Sequence, residues 1–129
     1  MGKILMKGKI FGFEEYRDYI LEDYFGDDSP FRLLTCENAP VSFIVVNPFI
    51  FVDDYNVDVG NYIFEQIGLC NEKHNDAVVL CVVRCEENNM FINLRSPLII
   101  NPGDGSFSQV ITLNEEYGTA VPFPVNQTL

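Results

Sequence analysis

Basic residues and histidine are scarce in this sequence. Its 129 residues hold eight lysines and arginines against nineteen acids, a formal net charge of −11, and one histidine, His74. Lys3, Lys7 and Lys9 precede the first acid, Glu14, so the chain from residue 10 onward carries five bases against nineteen acids. Such a surface repels phosphate backbones, which argues against direct nucleic-acid binding and favours a basic partner or plain solubility. Long apolar runs are missing too: none approaches the roughly 20 residues that a membrane helix needs. The opening stretch MGKILMKGKIFGFEE scatters lysines among apolar residues and has no small-residue cleavage site. It reads as a first strand and not as a signal peptide. The expectation is a cytoplasmic protein with no membrane contact.

Signatures of catalysis and of bound cofactors are also lacking. There is no Gly-x-x-x-x-Gly-Lys phosphate loop, no Gly-x-Ser-x-Gly elbow and no dinucleotide fingerprint. His74 lies in the polar stretch CNEKHNDA and reads as a surface residue rather than a general base. The acidic pairs Glu14/Glu15, Asp27/Asp28, Asp53/Asp54, Glu86/Glu87 and Glu115/Glu116 are sequence neighbours at turns. Neighbours on a strand point to opposite faces and do not form a carboxylate dyad. Cys81 and Cys85, four residues apart in the apolar run AVVLCVVRC, would stand about 13 Å apart on a strand, too far to share a metal or a disulfide. With Cys36 and Cys70 they are expected to be reduced core thiols. Asp54, Asn56, Asp58 and Glu65 match the ligand spacing of a helix–loop–helix calcium site. The sixth position of that loop, where glycine is needed, is Val59, and NPFIFV ahead of it cannot supply an entering helix. An acidic turn leading into a helix is the better reading, so no metal, no cofactor and no enzyme activity are expected.

What is present is strand after strand with short turns. Runs rich in Val, Ile, Phe and Tyr occupy 3–11, 16–22, 31–36, 41–46, 49–53, 77–85, 90–100 and 107–113, punctuated by Gly-Asp-Asp-Ser-Pro, Asn-Ala-Pro and Asn-Pro-Gly-Asp-Gly. Pro97 inside the seventh run predicts an edge strand or a bulge there. One stretch differs: Ile63, Phe64 and Ile67 have helical spacing and Gly68 fits a stop, which predicts one short helix over about 60–68. The fold expected is mainly β: a single antiparallel, barrel-like domain over 1–129 with one short helix.

Four stretches resemble a known family. Residues 30–59, PFRLLTCENAPVSFIVVNPFIFVDDYNVDV, are similar to the flagellar assembly factor FliW, which has a Phe-x-x-Leu strand, a Phe-Val-Val-x-(Asn/Asp)-Pro-(Phe/Tyr) run and an acidic Asp-Tyr turn. The matching residues are Phe31, Leu34, Phe43, Val45, Val46, Asn47, Pro48, Phe49, Asp54 and Tyr55. NLRSPLIIN (93–101), GFEEYRDYIL (12–21) and QVITLNEEYGTAVP (109–122) resemble further family segments in the same order. Two features depart from the pattern: Ile10-Phe11 run straight into Gly12 without a Pro-Gly turn, and Ala120 and Val121 replace a customary basic residue and histidine.

The resemblance implies a non-catalytic protein that binds the translational repressor CsrA and flagellin, relieving repression of flagellin synthesis by partner switching away from the RNA-binding surface. It also implies a protein that is monomeric when free. Other readings stay open: a dedicated flagellin export chaperone, or an acidic barrel that binds a small ligand. For the contact surface, Pro97, Leu98 and Ile99 read either as an apolar edge patch or as ordinary core. Asp53, Asp54 and Tyr55 read either as a docking rim or as a solvated turn. Asn93 joins the candidates because it flanks the same strand as Asn101, and satisfying local backbone groups is its other reading.

Overall fold

The computed structural model describes residues 3–69 and 76–123. Cys70 and His74 lie outside the described residues. Among the described residues the strands are β1 (Lys3–Lys9), β2 (Asp18–Glu22), β3 (Phe31–Cys36), β4 (Ser42–Val46), β5 (Val78–Glu86), β6 (Asn89–Ile92), β7 (Leu98–Ile100), β8 (Ser106–Gln109) and β9 (Val121–Pro122), with one α-helix, α1 (Asn61–Gln66). Their order in the sheet is β4-β3-β2-β1-β8-β7-β5-β6-β9, and β4 also pairs with β5. Seven strands therefore close on themselves as a barrel, and β6 and β9 extend it beyond the second half of β5. The fold class read from the sequence is the one observed.

Closure introduces one feature that alternation could not reveal. All pairings are antiparallel except that of β1 with β8, which is parallel with Lys7 opposite Ser106, Gly8 opposite Phe107 and Lys9 opposite Ser108. The two chains approach closely at this seam. A Cβ on Gly8 would collide with the Phe107 carbonyl, and one on Gly105 would collide with the Leu5 carbonyl.

Two of the expected strands are different in the structure. The run 49–53 is not a strand: Pro48–Ile50 form a 3-10 turn, capped by Asn47, whose side-chain oxygen accepts from the Phe49 N–H at 2.9 Å. Proline has no N–H for a ladder, and its fixed φ suits the first turn of a helix, so Asn-Pro starts a turn despite the β-favouring residues after it. The run 90–100 is two strands, β6 and β7. Asn93 accepts from the Ser96 N–H at 2.9 Å in a local turn that breaks the ladder.

The core lies on both faces of the sheet. Inside the barrel, Met6, Tyr19, Leu21, Leu34, Val45, Leu80, Leu98, Ile100 and Phe107 pack together. Outside, α1 lays Ile63 and Ile67 on Ile99 and Val110. A helix of six residues is not stable alone. This packing and a double C-terminal cap hold it, with Leu69 N–H donating to the Phe64 carbonyl at 2.8 Å and Gly68 N–H to that of Glu65 at 3.1 Å. Asn101 ties the same end down, its amide donating to the Ile67 carbonyl at 2.8 Å. A third cluster covers the outer face of β4 and β5, where Tyr55 packs with Val46, Cys81, Val83, Ile92 and Leu94. Cys36 and Cys81 are buried thiols, as expected, whereas Cys85 is exposed, on the part of β5 that runs past its register with β4 and pairs with β6.

β7 corrects the expectation for Pro97, Leu98 and Ile99. It is no edge, since it pairs with β5 on one side and β8 on the other. Leu98 and Ile99 are each 0% exposed, and Pro97 is fully buried with them. Consecutive apolar residues are what a strand covered on both faces requires: Leu98 and Ile100 fill the barrel while Ile99 meets α1. Leu98→Asp or Ile99→Asp would bury an unpaired carboxylate, a change on the scale of more than about 4 kcal/mol against a typical total of 5–15 kcal/mol. Both variants are expected to lose the cooperative melt seen by circular dichroism, and a native melting temperature in either would contradict this placement.

Two buried tyrosines provide a contrast. The Tyr55 hydroxyl donates to the Leu94 carbonyl at 2.7 Å, whereas the Tyr19 hydroxyl, inside the barrel, has no hydrogen-bond partner among the described residues. Tyr55→Phe orphans a buried carbonyl and should cost about 1–3 kcal/mol, while Tyr19→Phe should be neutral or stabilising. Urea unfolding of the two variants tests this, and equal losses would be the contrary result.

Candidate partner-binding surfaces

The acidic corner after β4 is built by the tail of the chain. The 3-10 turn directs the backbone so that Phe51 and Val52 N–H groups both donate to the Pro48 carbonyl, at 3.0 and 2.9 Å. Tyr55 then turns inward. It is 5% exposed, and its ring lies tilted 4.9 Å from Tyr117 and edge-to-face 5.5 Å from Phe49. Burial drives its hydroxyl pKa far above the ordinary tyrosine value, with the Cys81 sulfur beside it as a second cause. Burial likewise pushes the Cys81 thiol up to about 12. Burial thus favours the neutral form of both groups at physiological pH. Tyr55 is thus an internal pin and not part of an exposed rim, because its hydroxyl reaches a buried carbonyl that only a donor can satisfy.

Asp53 and Asp54 are exposed. Their turn is fastened by Tyr117, whose hydroxyl accepts from the Asn56 N–H at 2.8 Å and donates to the Asp54 carbonyl at 3.3 Å. Asp58 accepts through its backbone from Leu113 N–H at 2.7 Å. The loop is entered from a 3-10 turn, Glu65 stands within α1, and no three acidic, histidine or cysteine side chains converge among the described residues. Asn93, the remaining candidate, serves the turn before β7.

A second surface was not legible in the sequence. Phe11, Val59, Tyr62, Ile63, Ile111 and Leu113 line an open groove of about 410 Å³ at the end of the barrel nearest the β1–β8 seam. Phe11 is 45%, Tyr62 62%, Ile111 56% and Leu113 66% exposed. The chain beyond β8 continues extended, with Val110 N–H donating to the Pro97 carbonyl and Thr112 N–H to that of Arg95, both at 3.0 Å. Val110 and Thr112 are buried, whereas Ile111 and Leu113 face solvent. Alternation in the stretch VITL gives no sign of which residues face out, since three of the four are apolar. Where α1 lands decides it.

The charges are unevenly engaged. Lys7 meets Asp18 at 3.1 Å, Lys3 meets Glu22 at 3.9 Å, Arg32 meets Asp23 at 2.9 Å and Arg84 meets Glu86 at 3.4 Å. Most of these pairs are exposed and contribute little to stability. They do hold four of the eight bases against carboxylates and leave the surplus of acid on the surface. The barrel interior is filled by the side chains of its core, with Tyr19, Leu34, Val45 and Leu98 all 0% exposed, so it offers no enclosed chamber for a ligand. A second open cleft, of about 540 Å³, is lined by Gly68, Leu69, Asp76 and Asn101 to Asp104.

Comparison with known proteins agrees with this architecture. The family model described as FliW protein matches residues 2–123. The flagellar assembly factor FliW of Alkaliphilus metalliredigens is 32% identical over 111 residues, covering 84% of this chain and 67% of its own. That of Borrelia duttonii is 30% identical over 118 residues, covering 89% and 88% respectively. A crystal structure of the flagellar assembly factor FliW superposes with a TM-score of 0.80 at 26% identity, over 92% of this chain and 84% of that one. The resemblance carried by Phe31, Asn47-Pro48, Tyr55 and the strands around them is thereby a relationship of the whole fold, and the chain belongs to the FliW family of flagellar assembly factors.

Proposed function

We propose that this chain is a non-catalytic, cytoplasmic assembly factor that captures a CsrA-type translational repressor and flagellin in turn. Binding of flagellin would occupy it, and release of flagellin would free it to withdraw the repressor from its RNA. One observation carries the choice of partner: a net charge of −11 on a domain in which four of the eight bases are paired with its own carboxylates. An RNA-binding protein is basic where it meets phosphate, and opposite surface potentials steer two proteins together. The same charge argues against RNA binding by this chain itself. The exposed Asp53 and Asp54 belong to the steering field and not to a packed anchor. Buried Tyr55, Pro97, Leu98 and Ile99 support the surface from beneath, and Asn93 supports the turn that leads into β7. A small-ligand-binding barrel is disfavoured by the filled interior.

In this reading the chain lowers RNA binding by CsrA without sharing the RNA site, so a coupling of about 1–3 kcal/mol would weaken RNA affinity roughly 5- to 150-fold. Fluorescence anisotropy of a labelled RNA hairpin bound to CsrA, titrated with this protein at several RNA concentrations, measures it. The signal should fall, and the apparent RNA Kd should rise to a plateau no more than roughly 150-fold above its starting value as this protein saturates CsrA, whereas direct competition would raise it without limit. Capture should be faster at low salt because exposed charges are screened beyond roughly 8 Å at physiological ionic strength. Direct RNA binding by this chain, or an unchanged CsrA–RNA signal at saturation, would contradict the proposal. Flagellin binding without any effect on CsrA would identify a dedicated export chaperone instead.

A further inference from the structure

The groove beside the β1–β8 seam combines three properties. Its walls are apolar and exposed: Phe11 on one side, Tyr62 on the other, Ile111 and Leu113 along the floor. Contiguous exposed apolar area of this kind, on a small domain with a filled core, marks a docking surface more often than chance. Its floor also carries free main-chain groups. Val110 and Thr112 turn their N–H groups toward residues 95–97, and alternation of the backbone turns those of Ile111 the opposite way. β1 has left that side by Phe11, whose N–H donates to the Gln109 side chain at 2.8 Å, and the next backbone contact there is Leu113 with Asp58. Between them, the N–H and C=O of Ile111 have no partner among the described residues.

The third property is the charge at the rim. Glu14 and Glu15 follow Phe11, Asp58 and Glu65 bracket the wall around Tyr62, and Glu115 and Glu116 follow Leu113, all six exposed. Arg95, the base nearest the floor, already donates through Nε to the Thr112 carbonyl at 3.3 Å. Lys9, two residues before Phe11, lines a separate small cleft with Arg17 and Ser108. The segments that build the groove are therefore apolar where they line it and acidic in exposed residues close by in sequence. We propose that it seats an extended peptide segment of a partner protein, with apolar side chains in the groove, lysine or arginine at its flanks, and main-chain hydrogen bonds to Ile111. This is strand addition over a short window, in which backbone pairing supplies affinity and the apolar walls and acidic rim supply selectivity. The inference deepens the proposed function by naming the surface and its mode of recognition, but the peptide experiment below stands apart from that reading.

The probe is a capped peptide, Lys-Val-Thr-Ile-Thr-Val-Lys, with its Glu-flanked counterpart as control, titrated into the 15N-labelled protein. The lysine-flanked peptide should shift the amide resonances of Ile111 and Tyr62 and slow exchange of the Ile111 amide. The Glu-flanked peptide should bind at least tenfold more weakly. Ile111→Ser and Leu113→Ser, at exposed positions, should keep the melting temperature and lose at least tenfold in peptide affinity. Leu5→Ser, equally exposed on β1, should lose nothing. Shifts confined to other surfaces, or equal binding of both peptides, would overturn the inference. So would a wild-type dimer that Ile111→Ser dissolves, because the groove would then be a self-interface. In parallel, capture of purified CsrA separates the two claims. A wild-type chain that binds the peptide but not CsrA leaves the groove standing and removes the functional reading. Serine variants that capture CsrA within twofold of wild type remove the groove and leave the functional reading.

Discussion

β1 and β8 lie side by side in parallel, and at that seam backbone packs on backbone with no room for a side chain at Gly8 or Gly105. The other elements are arranged around this contact. It closes the sheet, so the apolar faces of β1, β2, β3, β4, β5, β7 and β8 enclose one interior. It buries strand edges that would otherwise be open to pairing with other chains. It also ends abruptly at Phe11, and the departure of β1 from β8 at that point leaves the one-residue window at Ile111 and the groove around it. The constraint that makes the fold compact is thus the same one that leaves part of its surface unsatisfied.

A domain built this way presents a good deal of surface. Two of its buried titratable groups, Tyr55 and Cys81, are held neutral by burial and serve packing. Its charges sit outside, predominantly negative, over a rigid barrel whose second face is covered by α1 and by aromatic residues drawn from the chain's tail. Long-range attraction to a basic partner and short-range selection by an apolar groove are separable tasks, the first set by net charge and the second by a few side chains. That division would suit the partner exchange proposed above.

Much of the fold was legible in the residues and much of the surface was not. Strand identity followed from Val, Ile, Phe and Tyr runs between turn residues, and the helix from Ile63, Phe64, Ile67 and Gly68. Asn-Pro at 47–48 misled because the β-favouring residues after it outweighed the turn chemistry in a local reading. Leu98 and Ile99 misled for a different reason. A continuous apolar run has the same appearance whether it is an exposed edge or a strand covered on both faces, and only the landing of α1 on Ile99 distinguishes them. Asp53 and Asp54 were recognisable as surface, but Tyr55 beside them was not recognisable as core, since its partner carbonyl at Leu94 lies 39 residues away. The groove is the extreme case. Phe11, Tyr62 and Ile111 come from three distant segments, and nothing local announces that they meet.

The seam is tested most directly by two alanine substitutions at glycines of closely similar, positive φ. Gly12 and Gly105 have φ of +86° and +81°, but a Cβ at Gly12 meets nothing within 4 Å whereas one at Gly105 meets the Leu5 backbone. Gly12→Ala should therefore cost only the conformational penalty, on the order of 1 kcal/mol. Gly105→Ala should cost at least twice that in urea unfolding, because the β1–β8 contact must open to admit the methyl group. Equal costs for the two variants would mean that the seam yields freely and that closure does not govern this fold.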